Sequence, residues 1–319
     1  MMCNQILSSW YFMLFMPDFY LSLGTGNVLA QTASSASIGV EINILEAFFL
    51  GLIQGVTEFL PISSTAHLKV IPVMLGWGDP GIAFTAIIQL GSIAAVIWFF
   101  CHDLAQVTLG SWQAIQKKDY DSVDFRLALG IALGTIPIVF FGFLIKLLIP
   151  DYDNSPLRSM VVIAFASIGM AFLLGLAEKI GNRKRNFEHL TPRDGILMGL
   201  AQTLALIPGV SRSGSTITAG LFMGLERATA ARFSFLLGIP AITLAGIVEL
   251  KTVFVDGIGN TEILPLIVGL MSATIFSYLS IAWLIRYLQS KSTWIFVWYR
   301  LAFGVAILTA VWGGALKNI

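Results

Sequence analysis

The chain has 319 residues, of which 56% are hydrophobic and only 12% charged, and its formal net charge is +1. These values exclude an ordinary soluble globular domain, and they leave no basic stripe with which to meet nucleic acid. A mean hydropathy of +0.83 instead predicts an all-α polytopic membrane protein.

Residues 1–40 form an N-terminal extension of mixed signals. Ile6 to Ala30 is moderately apolar but carries Pro17 and Asp18, and the first basic residue of the chain is Lys69. A secretory signal peptide starts with a basic region, which is missing here. Val28-Leu29-Ala30 nevertheless resembles a small-residue cleavage site, so an extra hydrophobic segment and a signal-like segment both stay open. Residues 41–319 form the membrane domain. Cys3 and Cys101 lie far apart and indicate neither a disulfide framework nor a Cys-based metal site.

A span needs about 20 apolar residues to cross about 30 Å of hydrocarbon. Six segments qualify: Ile82–Cys101, Leu127–Ile149, Met160–Ala177, Ala228–Leu250, Ile263–Ile285 and Thr293–Trp312. Two more, Ile44–Gly76 and Gly195–Leu225, are apolar but broken by proline and polar clusters. The connections carrying Lys117, Lys118 and Arg126, then Lys179, Arg183, Lys184, Arg185 and Arg193, then Arg286 and Lys291, fall on one side. The other side has only Arg158, Lys251 and Lys317. The positive-inside rule puts the basic loops in the cytoplasm.

The first broken segment contains the densest chemistry in the N-terminal half. Gln54 and Glu58 are four apart and share one face of a helix, whereas Glu46 is off that face and reads as interfacial. Pro61 ends or kinks the helix, and Ser63, Ser64, Thr65 and His67 follow. Intramembrane ionisable groups are functional candidates by default. His102 and His189 fall in predicted loops, where a solvated role suffices.

The second broken segment parallels the first. Gly51-Leu52-Ile53-Gln54 leads to Pro61-Ile62-Ser63-Ser64-Thr65, and Gly199-Leu200-Ala201-Gln202 leads to Pro208-Gly209-Val210-Ser211-Arg212-Ser213. Each is followed by three spans, so a second repeat at about 194–315 is predicted to be inverted relative to a first at about 42–180. Inverted repeats with broken helices place a site where the two breaks meet, since irregular backbone at membrane depth must be buried or line a wet cavity. Arg212 in such a run needs a partner. Its guanidinium fork suits phosphate oxygens, and Ser211, Ser213 and Thr216 add hydroxyl donors. An oxyanion site and a structural Arg212–Glu58 pair both satisfy it. The residues alone therefore support either phosphoryl chemistry on a membrane-delivered substrate or transport of an anion.

The run Gln54-Gly55-Val56-Thr57-Glu58-Phe59-Leu60-Pro61-Ile62-Ser63-Ser64-Thr65-Ala66-His67 closely resembles the first signature of the undecaprenyl-diphosphate phosphatase family, the integral-membrane bacitracin resistance proteins. Pro208-Gly209-Val210-Ser211-Arg212-Ser213-Gly214 resembles its second, and the match extends over about residues 42 to 315. The resemblance implies six transmembrane helices plus two re-entrant helix-loop-helix segments in inverted-topology repeats. It further implies hydrolysis of undecaprenyl diphosphate to undecaprenyl phosphate and inorganic phosphate. That reaction recycles the lipid carrier of peptidoglycan synthesis at the bacterial inner membrane, with the site facing the periplasm. The cofactor it implies is a divalent cation, usually Mg2+, with Ca2+ as the alternative.

Carried onto this chain, the catalytic set is Ser64, His67, Glu58 and Arg212. The phosphate-binding set is Arg212, Ser211, Ser213 and Thr216, and the metal ligands are Glu58 and Gln54. Either Ser64 attacks phosphorus with His67 as its base, or His67 itself attacks. The sequence departs from the family in having Gln54 where a glutamate is usual and Ala66 where a glycine is usual. The first departure halves the carboxylate charge of the motif. A transporter or flippase for the carrier lipid or a small anion is the rival class, because the same scaffold suits it. The partner expected is undecaprenyl diphosphate in the lipid bilayer, with no nucleic acid, and a homodimer is compatible with this reading.

Overall fold

A computed structural model of the chain describes residues 42–149, 152, 155–256 and 262–318. These belong to one compact unit, Gly39–Ile319, and the N-terminal extension discussed above lies outside the described residues. Regular structure among them is helical, apart from a single bridge pairing Arg185 with Leu225. The helices are α1 (Ile44–Phe59), α2 (Ser64–Met74), α3 (Gly81–Phe99), α4 (Cys101–Lys117), α5 (Val123–Leu148) and α6 (Met160–Ile180). They continue as α7 (Pro192–Gln202), α8 (Arg212–Phe222), α9 (Arg227–Asp256), α10 (Ile263–Leu288) and α11 (Trp294–Trp312).

Five helices, α5, α6, α9, α10 and α11, are each long and apolar enough to cross a membrane. Helices α3 and α4, which meet at a 62° bend, pass the same test only as a pair, so the described residues give five crossings, or six where that bent pair is one span. The six apolar segments seen in the sequence thus correspond to helices, and the chain is a multi-pass membrane protein. The stretch after Cys101, read from the sequence as a loop, is mostly helix. Its apolar spacing buries Val107, Ser111 and Ala114 while exposing Trp112 and Lys117, so its charge content hid an amphipathic element.

The two broken segments form helix–break–helix hairpins. At about 1.5 Å per residue, the 11-residue arms of α2, α7 and α8 reach about 16 Å, too short to cross the bilayer. Start signals are explicit: Asn43 and Glu46 form a capping box on α1, and Thr191 and Asp194 form one on α7, with Pro192 in its first turn.

Helices in lipid associate through close packing of small residues. Gly51 and Gly55 press α1 onto α10, so that a methyl at Gly51 would lie 2.4 Å from the Gly269 carbonyl oxygen. Gly195 and Gly199 press α7 onto α5, where a methyl at Gly199 would lie 2.1 Å from the Gly134 carbonyl oxygen. Each hairpin therefore packs against a spanning helix from the other half of the chain.

The hairpins anchor at opposite ends of α6. Lys69 of α2 donates to the Arg158 carbonyl just before α6 begins. Beyond its C-terminal end, Arg185 and Gly224 pair backbone to backbone, tying the end of α8 to the basic loop. On that basic side, Glu178 takes both Arg227 and Thr293, Asp194 takes Arg185, and Asp103 takes Arg232.

Candidate active site

Proline sets both breaks. The residue before a proline is pushed out of the helical region, and Leu60 and Ile207 are accordingly extended, with ψ of 144° and 119°. Ser63 and Ser211 then turn the chain, with φ of 76° and 73°. A non-glycine residue holds such a backbone only where its surroundings over-determine it, at a cost of about 1–3 kcal/mol. Here each serine caps the next helix: Ser63 Oγ accepts from the Ala66 N–H, and Ser211 Oγ from the Gly214 N–H. The result is that Ser64 opens α2 and Arg212 opens α8, both facing the junction.

A single buried guanidinium locks the two breaks together. Arg300 of α11 is 1% exposed and donates to the carbonyls of Pro61 in the first break and of Gly209 and Val210 in the second. It also donates to the Ser167 carbonyl. Ser213 adds a second link, its hydroxyl donating to the Leu60 carbonyl at 3.0 Å.

At the junction, Arg212 Nη2 meets Glu58 Oε1 at 3.1 Å, while the Ser64 hydroxyl donates to Glu58 Oε2 at 2.7 Å. The Gln54 amide nitrogen braces the same carboxylate at 3.3 Å and also donates to Gln89 and Ser92. Arg212 Nη1 finds no partner among the described residues. Room for this nitrogen depends on Gly238, where a methyl would lie 1.7 Å from it. These groups border a cavity of about 220 Å³, whose other wall is apolar, from Ile138, Leu206, Ile242 and Ala245.

The structure thus brings together Glu58, Ser64, Arg212, Gln54 and Ser211, all but Gln54 lining the cavity. It does not bring His67 to Ser64. The His67 imidazole is 1% exposed, donates from Nδ1 to the Ser63 carbonyl at 2.7 Å, and accepts the Tyr299 hydroxyl at Nε2, 2.6 Å away. It stacks on Phe303 at 4.2 Å and is not among the residues bordering the cavity. Ser213 and Thr216 are likewise engaged elsewhere, the Thr216 hydroxyl on the Arg212 carbonyl and Ser234.

Gln54 turns its nitrogen rather than its oxygen to Glu58, so here it acts as a donor bracing the carboxylate. Sequence reasoning missed Arg300, Gln89 and the partner of His67. Arg300 had a signal, a lone arginine in the apolar run of the last span.

A carboxylate, a hydroxyl and a half-free guanidinium meeting at one cavity of a multi-pass helical membrane protein define a site suited to an oxyanion headgroup. Comparison with known proteins is specific. The family model "Bacitracin resistance protein BacA" matches residues 47–306. The chain is similar to proteins named undecaprenyl-diphosphatase from Trichormus variabilis and from Nostoc sp., each 66% identical over 292 residues and 91% of both chains. A third of that name, from Synechocystis sp., is 66% identical over 275 residues, 86% of this chain and 84% of the relative. The chain belongs to the bacitracin resistance protein BacA family.

Proposed function

We propose that this protein hydrolyses undecaprenyl diphosphate to undecaprenyl phosphate and inorganic phosphate. The reading rests on its relatives and on one observation: a serine hydroxyl, a carboxylate and an arginine with a spare donor converge on one intramembrane cavity. The apolar wall at Ile138, Leu206 and Ala245 suits a prenyl chain that stays in lipid while the headgroup enters.

Arg212 holds the diphosphate. Its Nη1 is already free, and a phosphate competing for Nη2 would leave the Glu58 carboxylate to Ser64. Ser64 Oγ then attacks the terminal phosphorus as Glu58 Oε2, 2.7 Å away, accepts its proton. The P–O bond to undecaprenyl phosphate breaks, and the departing phosphate takes from Glu58 the proton that came from Ser64, which leaves Glu58 a carboxylate again. Water releases inorganic phosphate from Ser64, with Glu58 taking the water's proton and returning one to Ser64. Arg212 stabilises charge on the phosphoryl oxygens in both steps. His67 serves this chemistry indirectly, by pinning the carbonyl of the strained Ser63 that aims Ser64.

A divalent cation, Mg2+ or Ca2+, fits only as a guest of the substrate. Among the described residues no group of three His, Cys, Asp or Glu could hold a metal. Among the described residues Glu58 is the one carboxylate bordering the cavity, and magnesium commonly takes one or two carboxylates plus phosphate oxygens. Such an ion would neutralise charge on the diphosphate when bound.

We place the protein in the bacterial inner membrane with the site reached from the periplasm. The hairpin carrying Glu58 and Ser64 anchors at the Arg158 end of α6, away from the basic loops, which supports that orientation and the inverted arrangement of the two halves. Purified protein in detergent, where no gradient exists, tests the reading. Phosphate release from prenyl diphosphate with Mg2+ supports hydrolysis; absence of release with either cation would return the chain to the transporter class.

A further inference from the structure

Gln202 closes α7 with an amide that has nothing to bind. The side chain is fully buried and borders the same cavity as Glu58, Ser64 and Arg212, yet neither its Nε2 nor its Oε1 has a partner among the described residues. Buried amides are nearly always hydrogen-bonded. Gln54, its counterpart in the first broken segment, obeys that rule by donating to Glu58, Gln89 and Ser92. One glutamine is therefore built into the scaffold, while the other is buried beside the cavity with its hydrogen bonds unmade. Arg212, whose Nη1 is likewise unpaired among the described residues, borders the same cavity.

We infer that Gln202 is a substrate-binding residue, its amide N–H donating to a non-bridging oxygen of the diphosphate beside Arg212 Nη1. Its carbonyl accepts from water that enters with the headgroup. The inference rests on reading this cavity as the phosphate site, and it adds a neutral donor from the second hairpin to the charged one. A neutral amide contributes direction without further charge, which lets the leaving lipid phosphate depart.

The test uses the full-length protein in detergent, with farnesyl diphosphate as probe and Mg2+ present. Gln202→Leu keeps the length and removes both polar atoms. KM should rise about 10- to 100-fold, with kcat changed far less. Its melting temperature should equal or exceed that of the native protein, because two unpaired buried atoms are gone. Gln202→Asn, which keeps the amide one carbon short, should give an intermediate KM, and Gln202→Glu should bind less tightly than either. If Gln202→Leu does not purify folded, the Asn and Glu variants carry the same comparison. A KM within twofold of native in a folded variant, or a lowered melting temperature with KM unchanged, overturns the inference. Ser64→Ala and Arg212→Lys are measured in parallel. Should they keep native turnover, the site reading itself fails; should they lose it while Gln202→Leu does not, only the role of Gln202 fails.

Discussion

Glu58 and Arg212, separated by 154 positions in the chain, meet at 3.1 Å where two proline-broken hairpins converge. The pair is nearly dry, with side chains 8% and 11% exposed, yet only half of the guanidinium is used. A structural ion pair would use more of the fork. The arrangement suits a cation that must exchange one partner for another.

Arg212→Lys keeps the charge but loses the fork. A change of this kind at a group stabilising transition-state charge costs about 100- to 1,000-fold in kcat. Glu58→Gln removes the proton acceptor for Ser64 and should cost about 100- to 10,000-fold. Phosphate release from prenyl diphosphate checks both, and rates within tenfold of native would remove these residues from the chemistry.

Gly238→Ala is the least obvious of the damaging substitutions. Its new methyl would fall 1.7 Å from Arg212 Nη1, so the guanidinium must move although no functional group has been deleted. Misplacing a positioning group by about 1 Å can cost about 100-fold. Turnover should fall at least tenfold with little change in melting temperature. Native turnover would mean that the guanidinium has slack.

Arg300→Met should unfold the junction. It leaves the carbonyls of Pro61, Gly209 and Val210 without their donor, at about 1–3 kcal/mol for each one left unsatisfied. A thermal melt in detergent should shift down markedly, and Arg300→Lys should recover only part, since one ammonium cannot reach both breaks.

Tyr299→Phe separates a bracing imidazole from a reacting one. The substitution removes the hydroxyl that His67 Nε2 accepts, worth about 1 kcal/mol. Activity should stay within about tenfold while the melting temperature drops by a few degrees. A loss as large as that of Ser64→Ala would put His67 back at the centre of the reaction.

Acid should loosen the basic-side end of α7. Burial pushes the Asp194 carboxyl up, but hydrogen bonds from Arg185 and Thr191 outweigh it and hold the group below the usual carboxylate range. Its stabilising contribution is present above that range and is lost as pH falls through the lowered value. Asp194→Asn should therefore flatten the acid limb of a melting-temperature profile; an unchanged limb would assign it to other groups.

The breaks were legible because proline leaves a local mark: Pro61 and Pro208 dictate the extended Leu60 and Ile207 before them, whatever the tertiary context. The meeting of Glu58 and Arg212 followed from the parallel between the two segments. His67 was not legible in the same way. Helix α2 does restart at Ser64, so the spacing of three residues was a fair premise. What spacing omits is that a residue in the first helical turn can bond back to its own cap, and Ser63 offers a carbonyl there. The role of Arg300 depends on carbonyls from two distant breaks, and no local pattern encodes their convergence.

The most direct measurement quenches the purified enzyme during turnover of prenyl diphosphate labelled in its terminal phosphate and locates the label by peptide mapping. Label on the peptide bearing Ser64, absent from Ser64→Ala and accumulating in Glu58→Gln only slowly, is the expected result. Label on His67, or turnover with no labelled enzyme at any time, would contradict attack by Ser64 beside Glu58 and Arg212.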